Sequence, residues 1–119
     1  MTIIGSSRSP SSAECATLSC RPVAGARELA EQFRIRQVVF VDEQRIFAGS
    51  DRDEHDDAPS TIHVLGLVGG VPGGTVRLYP IGGTLWKGDR LAVLPEHRRA
   101  GLGAPLVRYA VATARQPSP

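Results

Sequence analysis

Residues 98–104 (RRAGLGA) stand between a strand-like apolar run at residues 90–94 and a helix-like run at residues 105–114. Two glycines let a backbone approach a ligand closely and leave its N–H groups unhindered. A helix that follows such a loop adds its unpaired N-terminal donors and the positive end of its dipole. The pattern therefore predicts a cradle for an anionic diphosphate.

The spacing of these glycines separates several kinds of anion site. A dinucleotide site needs G-x-G-x-x-G and a P-loop needs G-x-x-x-x-G-K-[ST], and neither pattern is present here. Residues 98–103 do fit [RQ]-x-x-G-x-[GA], which resembles the acyl-coenzyme A signature of the GNAT acetyltransferases. Residues 91–97 (LAVLPEH) are similar to the lead-in of that signature. The alternative is an ordinary strand–turn–helix corner with exposed arginines.

Composition narrows the class of protein. A chain of 119 residues with 41% hydrophobic and 22% charged residues is typical of one globular domain. The net charge is only +2 and the arginines are spread along the chain, so we expect no nucleic-acid partner. No apolar run suits a membrane span or a secretory signal, which predicts a cytoplasmic protein. Cys15 and Cys20 have no second pair or nearby histidine and are expected to be free thiols.

Periodicity divides the chain into a disordered leader (residues 1–16), a partial domain (17–114) and a disordered tail (115–119). Within the domain, strand patterns occupy residues 17–23, 61–68, 74–80 and 86–94, and helix patterns occupy residues 25–40, with an extension through 44, and residues 105–114. The predicted fold class is α/β, a GNAT-like mixed and mainly antiparallel sheet flanked by helices.

A second segment carries the same resemblance. Residues 35–44 (IRQVVFVDEQ) are similar to the V-F-V-x-E-Q helix of a bacterial GNAT subgroup, and this helix also resembles that of acyl-homoserine-lactone synthases. A complete GNAT domain continues with a fifth strand, a helix and two more strands, so the resemblance implies a domain that lacks its C-terminal strands. The fourth strand would then be an exposed edge, which a second copy of the chain or a partner chain could cover. The apolar face of the last helix should lack part of its cover at Leu102, Leu106, Val107 and Val111.

The resemblance also implies the site residues. Contacts to the cofactor are implied for Leu91, Ala92, Val93, Arg98, Arg99, Ala100, Gly101, Leu102, Gly103 and Ala104. The strand backbone would pair with pantetheine and polarise the thioester carbonyl, while the loop N–H groups and the two arginines would bind phosphate oxygens. Glu43 is the candidate general base, with Asp89 and His55 ranked below it, and Tyr109 is the candidate proton donor to the leaving thiol. A solvent-facing carboxylate at position 43 and a core tyrosine at position 109 are the competing interpretations.

The acidic segment at residues 51–57 (DRDEHDD) allows two interpretations. It could attract a cationic amine, but we favour a solvated, flexible loop. A calcium loop is excluded because glycine is missing at its sixth position and glutamate at its twelfth. No metal site is predicted.

Together these features predict an acyl-CoA-dependent N-acetyltransferase that uses acetyl-CoA as acyl donor and a small-molecule amine as acceptor, with an activity that the truncation puts in doubt. Two alternatives remain open. One is a non-catalytic fragment that binds coenzyme A or depends on a partner chain. The other is an enzyme of the acyl-homoserine-lactone-synthase type.

Overall fold

A computed structural model describes residues 17–116 of the chain, so the predicted leader, Cys15 and the end of the predicted tail lie outside the described residues. The strands are β1 (Leu18–Pro22), β2 (Ile62–Val68), β3 (Val71–Gly82) and β4 (Leu85–Val93). The α-helices are α1 (Gly25–Arg36) and α2 (Gly103–Arg115), and shorter elements are a π-helical segment (Gln37–Glu43) and two 3₁₀ helices (Glu54–Asp57 and Pro95–Ala100).

The four strands form one sheet in the order β1-β2-β3-β4, and each neighbouring pair is antiparallel. The predicted mixed α/β class with an antiparallel sheet is confirmed. The turn between β2 and β3 is shorter than the predicted five residues, because only Gly69 and Gly70 form it, with φ angles of 59° and 82°. Two consecutive left-handed residues suit a two-residue hairpin turn, so β3 begins at Val71.

The predicted first helix changes its winding after Arg36. The N–H of Gln44 donates to the carbonyl of Val39 at 2.9 Å, a bond that spans five residues instead of four. A π-helical turn holds more residues than an α-helical turn, so residues at its end point in directions that α-helical spacing does not predict. Glu43, the last residue of the segment, is the candidate general base.

The sheet lies between two apolar layers. On one face, α2 packs on β2 and β3 through Val64, Val76, Leu78, Leu102, Leu106 and Ala110. On the other face, α1 and the π-helical segment pack on the sheet through Ile35, Val39, Leu65, Ala92 and Leu94. The expectation that the apolar face of α2 lacks cover is wrong at Leu102, Leu106 and Val107, which are all buried within this chain.

Close contact between α2 and the sheet depends on two glycines. A Cβ on Gly66 would lie 3.0 Å from the Leu106 side chain, and one on Gly74 would lie 2.9 Å from that side chain and 3.0 Å from the Ala92 carbonyl oxygen. The missing side chains thus leave room for the leucines of α2, and the helix is held at a fixed height above the strands.

We expect Gly74→Ala to lower the free energy of unfolding by about 1–3 kcal/mol, because the added methyl group meets a backbone oxygen that cannot move away. Urea denaturation would measure the loss. The matched control is Gly103→Ala, where the new Cβ meets nothing within 4 Å and φ is not positive. Equal stability of the two variants would show that the contact between α2 and the sheet is not tight at Gly74.

Candidate functional site

Residues 98–104, which we call the phosphate loop, span the end of the second 3₁₀ helix and the start of α2. The backbone requires glycine at only one of its two glycine positions. Gly101 ends the 3₁₀ helix with a φ of 77°, a conformation that favours glycine. Gly103 has no positive φ, and a Cβ there would meet nothing within 4 Å. Neither backbone conformation nor crowding requires glycine at position 103, so the open space in front of it is available to a ligand.

The donors around this space are the first N–H groups of α2. The N–H of Leu106 already donates to the carbonyl of Leu102, which leaves the N–H groups of Leu102, Gly103 and Ala104 without an intrahelical partner. No side chain in the described part of the chain caps this helix. The expectation that Gly101 supplies a fourth donor is wrong, because its N–H donates to the carbonyl of Arg98 at 3.1 Å.

The two arginines of the phosphate loop have different environments. Arg99 is exposed, and no ion pair within residues 17–116 involves it. Arg98 donates to both carboxylate oxygens of Glu43, at 2.5 and 2.8 Å, and its Nε donates to the carbonyl of Val93 at 3.1 Å. The structure thus brings Glu43 and Arg98 together, although the resemblance implies separate roles for them. The hydrogen bonds from Arg98 lower the pKa of Glu43, which makes its carboxylate a weaker base.

The candidate strand, residues 91–93, lies at the end of β4, which has no neighbour on its second edge within the described sheet. The N–H of Leu94 donates to the carbonyl of Gly73 in β3, whereas the carbonyl of Val93 accepts from Arg98. Backbone groups alternate between the two edges of a strand. The N–H and carbonyl of Val93 therefore point to the free edge, next to the phosphate loop, and so does the carbonyl of Leu91, which lies opposite the Ala92 N–H in their shared peptide group.

A bulge lies at the start of this segment. Thr75 pairs with Ala92 and Arg77 pairs with Asp89, so Arg90 and Leu91 together lie opposite Val76. Arg90 has a φ of 53°, which is uncommon for a residue with a side chain.

Tyr109 lies two turns into α2 and is half-buried against the apolar layer between α2 and the sheet. It follows Gly103 by six residues, which is about 9 Å along a helix axis. Its ring therefore contributes to packing, and it lies on the helix whose N-terminus forms the phosphate loop.

The acidic segment differs most from its prediction. The carboxylates of Asp51 and Asp56 are buried, and that of Asp53 is partly buried, in a network that we call the charged cluster. Its members are Arg36, Arg77, Arg90, Asp51, Asp53, Asp56 and Asp89. The expected solvated loop is wrong, because three arginines from α1, β3 and β4 draw the carboxylates inward. A buried arginine requires carboxylate partners. Arg36 and Arg77 lie at core positions of their elements, and this was the sequence signal that pointed to such partners.

The geometry of the charged cluster is bidentate at two arginines. Arg36 donates to Asp51 at 2.7 Å and to both oxygens of Asp56 at 2.7 and 2.9 Å. Arg77 holds both oxygens of Asp53, at 2.6 and 3.0 Å, and both oxygens of Asp89, at 2.8 and 2.9 Å. Asp89, ranked second as a general base, is therefore occupied by Arg77. His55, ranked third, stacks on the Tyr79 ring at 3.8 Å.

These contacts set the protonation states of the charged cluster. Burial alone would raise the pKa of Asp56, but hydrogen bonds from Arg36 and from the Asp53 N–H outweigh burial and hold that pKa well below its usual range. Hydrogen bonds from Arg77 lower the pKa of Asp53. His63 lies beside the cluster with its Nε2 3.9 Å from Asp56, and burial lowers the pKa of its imidazole. Neither ring nitrogen of His63 has a hydrogen-bond partner among the described residues.

The pKa shifts predict a loss of stability in acid. Below about pH 6.5 the unfolded chain binds a proton at His63, whereas in the folded protein the lowered pKa keeps the imidazole neutral to a lower pH. The free energy of unfolding therefore decreases as the pH falls, by up to about 1.4 kcal/mol per pH unit. Below about pH 4 the depressed aspartates add to the loss in the same direction. We expect His63→Leu to remove the first decline without losing a hydrogen bond, as measured by urea denaturation between pH 5 and 7. The control His97→Leu should keep the decline. A decline that persists in His63→Leu would assign it to another group.

Neither a metal site nor a membrane span is found in the described range. Across residues 17–116 no three His, Cys, Asp or Glu side chains are placed to hold a metal ion. No helix of this range combines the length and apolar character needed to cross a bilayer.

Comparisons with known proteins agree with this geometry. Residues 26–118 match the family described as "Acetyltransferase (GNAT) family". A Bacillus subtilis (strain 168) protein named "Putative acetyltransferase" is 32% identical over 91 residues, which are 76% of this chain and 61% of that protein. Among solved structures, a GCN5-related N-acetyltransferase from Kribbella flavida superposes with a TM-score of 0.59 at 26% identity, over 82% of this chain and 35% of that chain.

A second solved structure shares the fold. An acyl-CoA N-acyltransferase from Pseudomonas aeruginosa gives a TM-score of 0.68 at 24% identity, over 82% of this chain and 69% of that chain. The chain thus spans 61% of the length of the Bacillus relative and 35% of the Kribbella chain.

Proposed function

This chain belongs to the acetyltransferase (GNAT) family, and we propose from that premise that it transfers an acetyl group from acetyl-CoA to the amino group of a small molecule. The observation that carries the proposal is the open space at Gly103, in front of an uncapped helix N-terminus and beside the free edge of β4. An acyl-CoA has a diphosphate, which suits the helix N-terminus, and an extended pantetheine arm, which suits the strand edge. When bound, it supplies an activated thioester.

The phosphate loop would hold the diphosphate in two ways. The N–H groups of Leu102, Gly103 and Ala104 are free donors at the helix N-terminus, where the dipole favours negative charge. Arg99 adds a guanidinium that no carboxylate of the described chain neutralises. Arg98 contributes less directly, because it is already bound to Glu43 and to the Val93 carbonyl.

The edge of β4 would orient the acyl group. Leu91 and Val93 direct backbone polar groups to the free edge, and an N–H there can stabilise the negative charge that develops on the thioester oxygen during attack by an amine. The backbone polar groups of Ala92 face β3 instead, and its side chain is buried in the apolar layer beneath α1. The strand therefore supplies both alignment and polarisation.

Proton transfer would use two side chains, Glu43 and Tyr109. Glu43 is held by the same guanidinium that binds Val93, so its carboxylate lies close to the place where the amine loses a proton. We propose Glu43 as the acceptor of that proton, directly or through water, and Tyr109 as the donor to the leaving thiolate.

Glu43→Gln should lower kcat/KM about 100-fold, because the amide keeps an oxygen for Arg98 but cannot accept a proton. Initial rates with saturating acetyl-CoA and a reactive amine would measure this effect. Asp42→Asn is the matched control, since it removes one negative charge from the neighbouring exposed position. Unchanged turnover in Glu43→Gln would show that Glu43 only positions Arg98.

The proposed function is tested by binding and turnover on the same preparation. Calorimetry should show that coenzyme A binds and that pantetheine, which lacks the diphosphate, binds far more weakly. Equal affinities would remove the phosphate loop from the cofactor site. Release of free thiol from acetyl-CoA in the presence of a panel of amines would then establish transfer. Binding without turnover would support the alternative of a non-catalytic fragment, which the lowered pKa of Glu43 favours.

A further inference from the structure

The bulge in β4 is built around a residue that does not favour its own backbone conformation. Arg90 is the first of the two residues that lie opposite Val76, and its φ is 53°. Bulges whose first residue is left-handed usually carry glycine there, because a Cβ is strained in that region. An arginine persists in such a position only where its surroundings hold it.

The side chain of Arg90 shows what holds it. Its Nη2 and Nε donate to the backbone carbonyl of Asp51 at 2.9 and 3.3 Å. Ion pairs connect the same guanidinium to the carboxylates of Asp51 at 3.2 Å and Asp53 at 3.4 Å. The guanidinium also lies over the Phe47 ring, 4.5 Å from its centroid. The bulge is therefore attached to the loop between the π-helical segment and β2.

The partners of Arg90 are themselves fixed. Asp51 is 2% exposed and accepts a hydrogen bond at 2.7 Å from Arg36, which is completely buried at the end of α1. Phe47 packs edge-on against Phe40 of the π-helical segment. Arg90 thus connects β4, through Asp51 and Phe47 of this loop, to α1 and to the π-helical segment.

The bulge decides which backbone groups of β4 reach its free edge. One extra residue on one strand shifts the pairing beyond it, and a shift of one residue exchanges the groups that point inward and outward. Without the bulge, the edge at Leu91 and Val93 would present different donors. We propose that Arg90 is a positioning residue, whose attachment to Asp51 keeps the end of β4 in the conformation that binds the pantetheine arm of an acyl-CoA. This inference rests on the proposed function.

The test compares two ligands that share the diphosphate. Acetyl-CoA engages both the phosphate loop and the strand, whereas adenosine 3′-phosphate 5′-diphosphate, which lacks pantetheine, engages the loop alone. In Arg90→Gly, which tolerates the left-handed φ but loses the guanidinium, we expect affinity for acetyl-CoA to fall about tenfold or more. Affinity for the diphosphate ligand should stay within about twofold of the wild type. The preference for acetyl-CoA over the diphosphate ligand, measured as the ratio of the two dissociation constants, should therefore be largely lost.

Arg45→Gly is the matched control. Arg45 is also a non-glycine residue with positive φ, at 54°, and it is exposed. The substitution removes the same charge and relieves the same kind of backbone strain without detaching β4. We expect it to keep the wild-type ratio. Arg90→Lys retains the charge but not the planar guanidinium, and it should give an intermediate ratio. This variant keeps the inference testable if Arg90→Gly does not fold.

A second readout needs no ligand. Amide hydrogen exchange at residues 91–93 should accelerate in Arg90→Gly and not in Arg45→Gly, because only the first variant frees the end of β4. A wild-type ratio together with unchanged exchange in Arg90→Gly would overturn the inference while leaving the proposed function intact. If the wild-type chain binds neither ligand, the proposed function fails, and the exchange data alone decide whether Arg90 holds the bulge.

Discussion

Replacing Gly103 with valine should remove most of the affinity for coenzyme A and leave the fold intact. The branched side chain would fill the space in front of the N–H groups of Gly103 and Ala104 and displace the phosphates from them. Hydrogen bonds to a charged group contribute about 1.5–3 kcal/mol each, so the loss of two would raise the dissociation constant at least about 100-fold. Calorimetric titration with coenzyme A gives the dissociation constant directly.

The structure predicts that this loss has no counterpart in stability. A Cβ at position 103 meets no heavy atom within 4 Å, so the melting temperature of Gly103→Val should match that of the wild type. Ala112→Val, on an exposed position of the same helix, controls for adding a β-branched residue to α2. Wild-type affinity in Gly103→Val would show that the diphosphate does not bind at this loop.

The largest effect on stability is expected at Arg36. Arg36→Met keeps the length of the side chain but leaves the buried carboxylates of Asp51 and Asp56 without their main partner. Removing one partner of a buried pair costs about 3–5 kcal/mol, a large share of the roughly 5–15 kcal/mol that stabilises a typical domain. Thermal unfolding should therefore shift downward by about 12 °C or more.

The same helix supplies the control. Arg34 pairs with Glu31 at 3.0 Å on the surface, and its side chain is 52% exposed. Surface pairs of this kind contribute about 0–1 kcal/mol, so Arg34→Met should melt within a few degrees of the wild type. Similar melting temperatures for the two variants would mean that the charged cluster contributes little to stability.

Much of the fold could be predicted from local sequence. The alternating runs around paired glycines located β2, β3 and β4, because side-chain alternation and left-handed turns are properties of a few neighbouring residues. The same holds for α2, which the sequence predicts from residue 105 and which begins at Gly103. Local patterns also showed that the helix after β1 extends towards residue 44, although not that its end is π-helical.

The remaining features depend on residues far apart in the chain. Arg98 and Glu43 are 55 residues apart, and Arg77 and Asp53 are 24 residues apart. Nothing in either segment alone says that it will meet the other. Local sequence therefore predicts a solvated acidic segment and carries no signal for the arginines that it meets. The role of Arg90 was equally hidden, since a left-handed arginine has no sequence signature.

The order of strands in the sheet also sets an order of assembly. Hairpins join β2, β3 and β4 through turns of two residues, and loops this short close quickly and at low entropic cost. β1 pairs with β2 only after a connection of about 40 residues has closed, and that connection contains α1 and the acidic segment. We therefore expect the three-stranded meander to form early, with Asp89 already beside Arg77, and the carboxylates of Asp51, Asp53 and Asp56 to reach Arg77 and Arg90 late, once the sheet has formed.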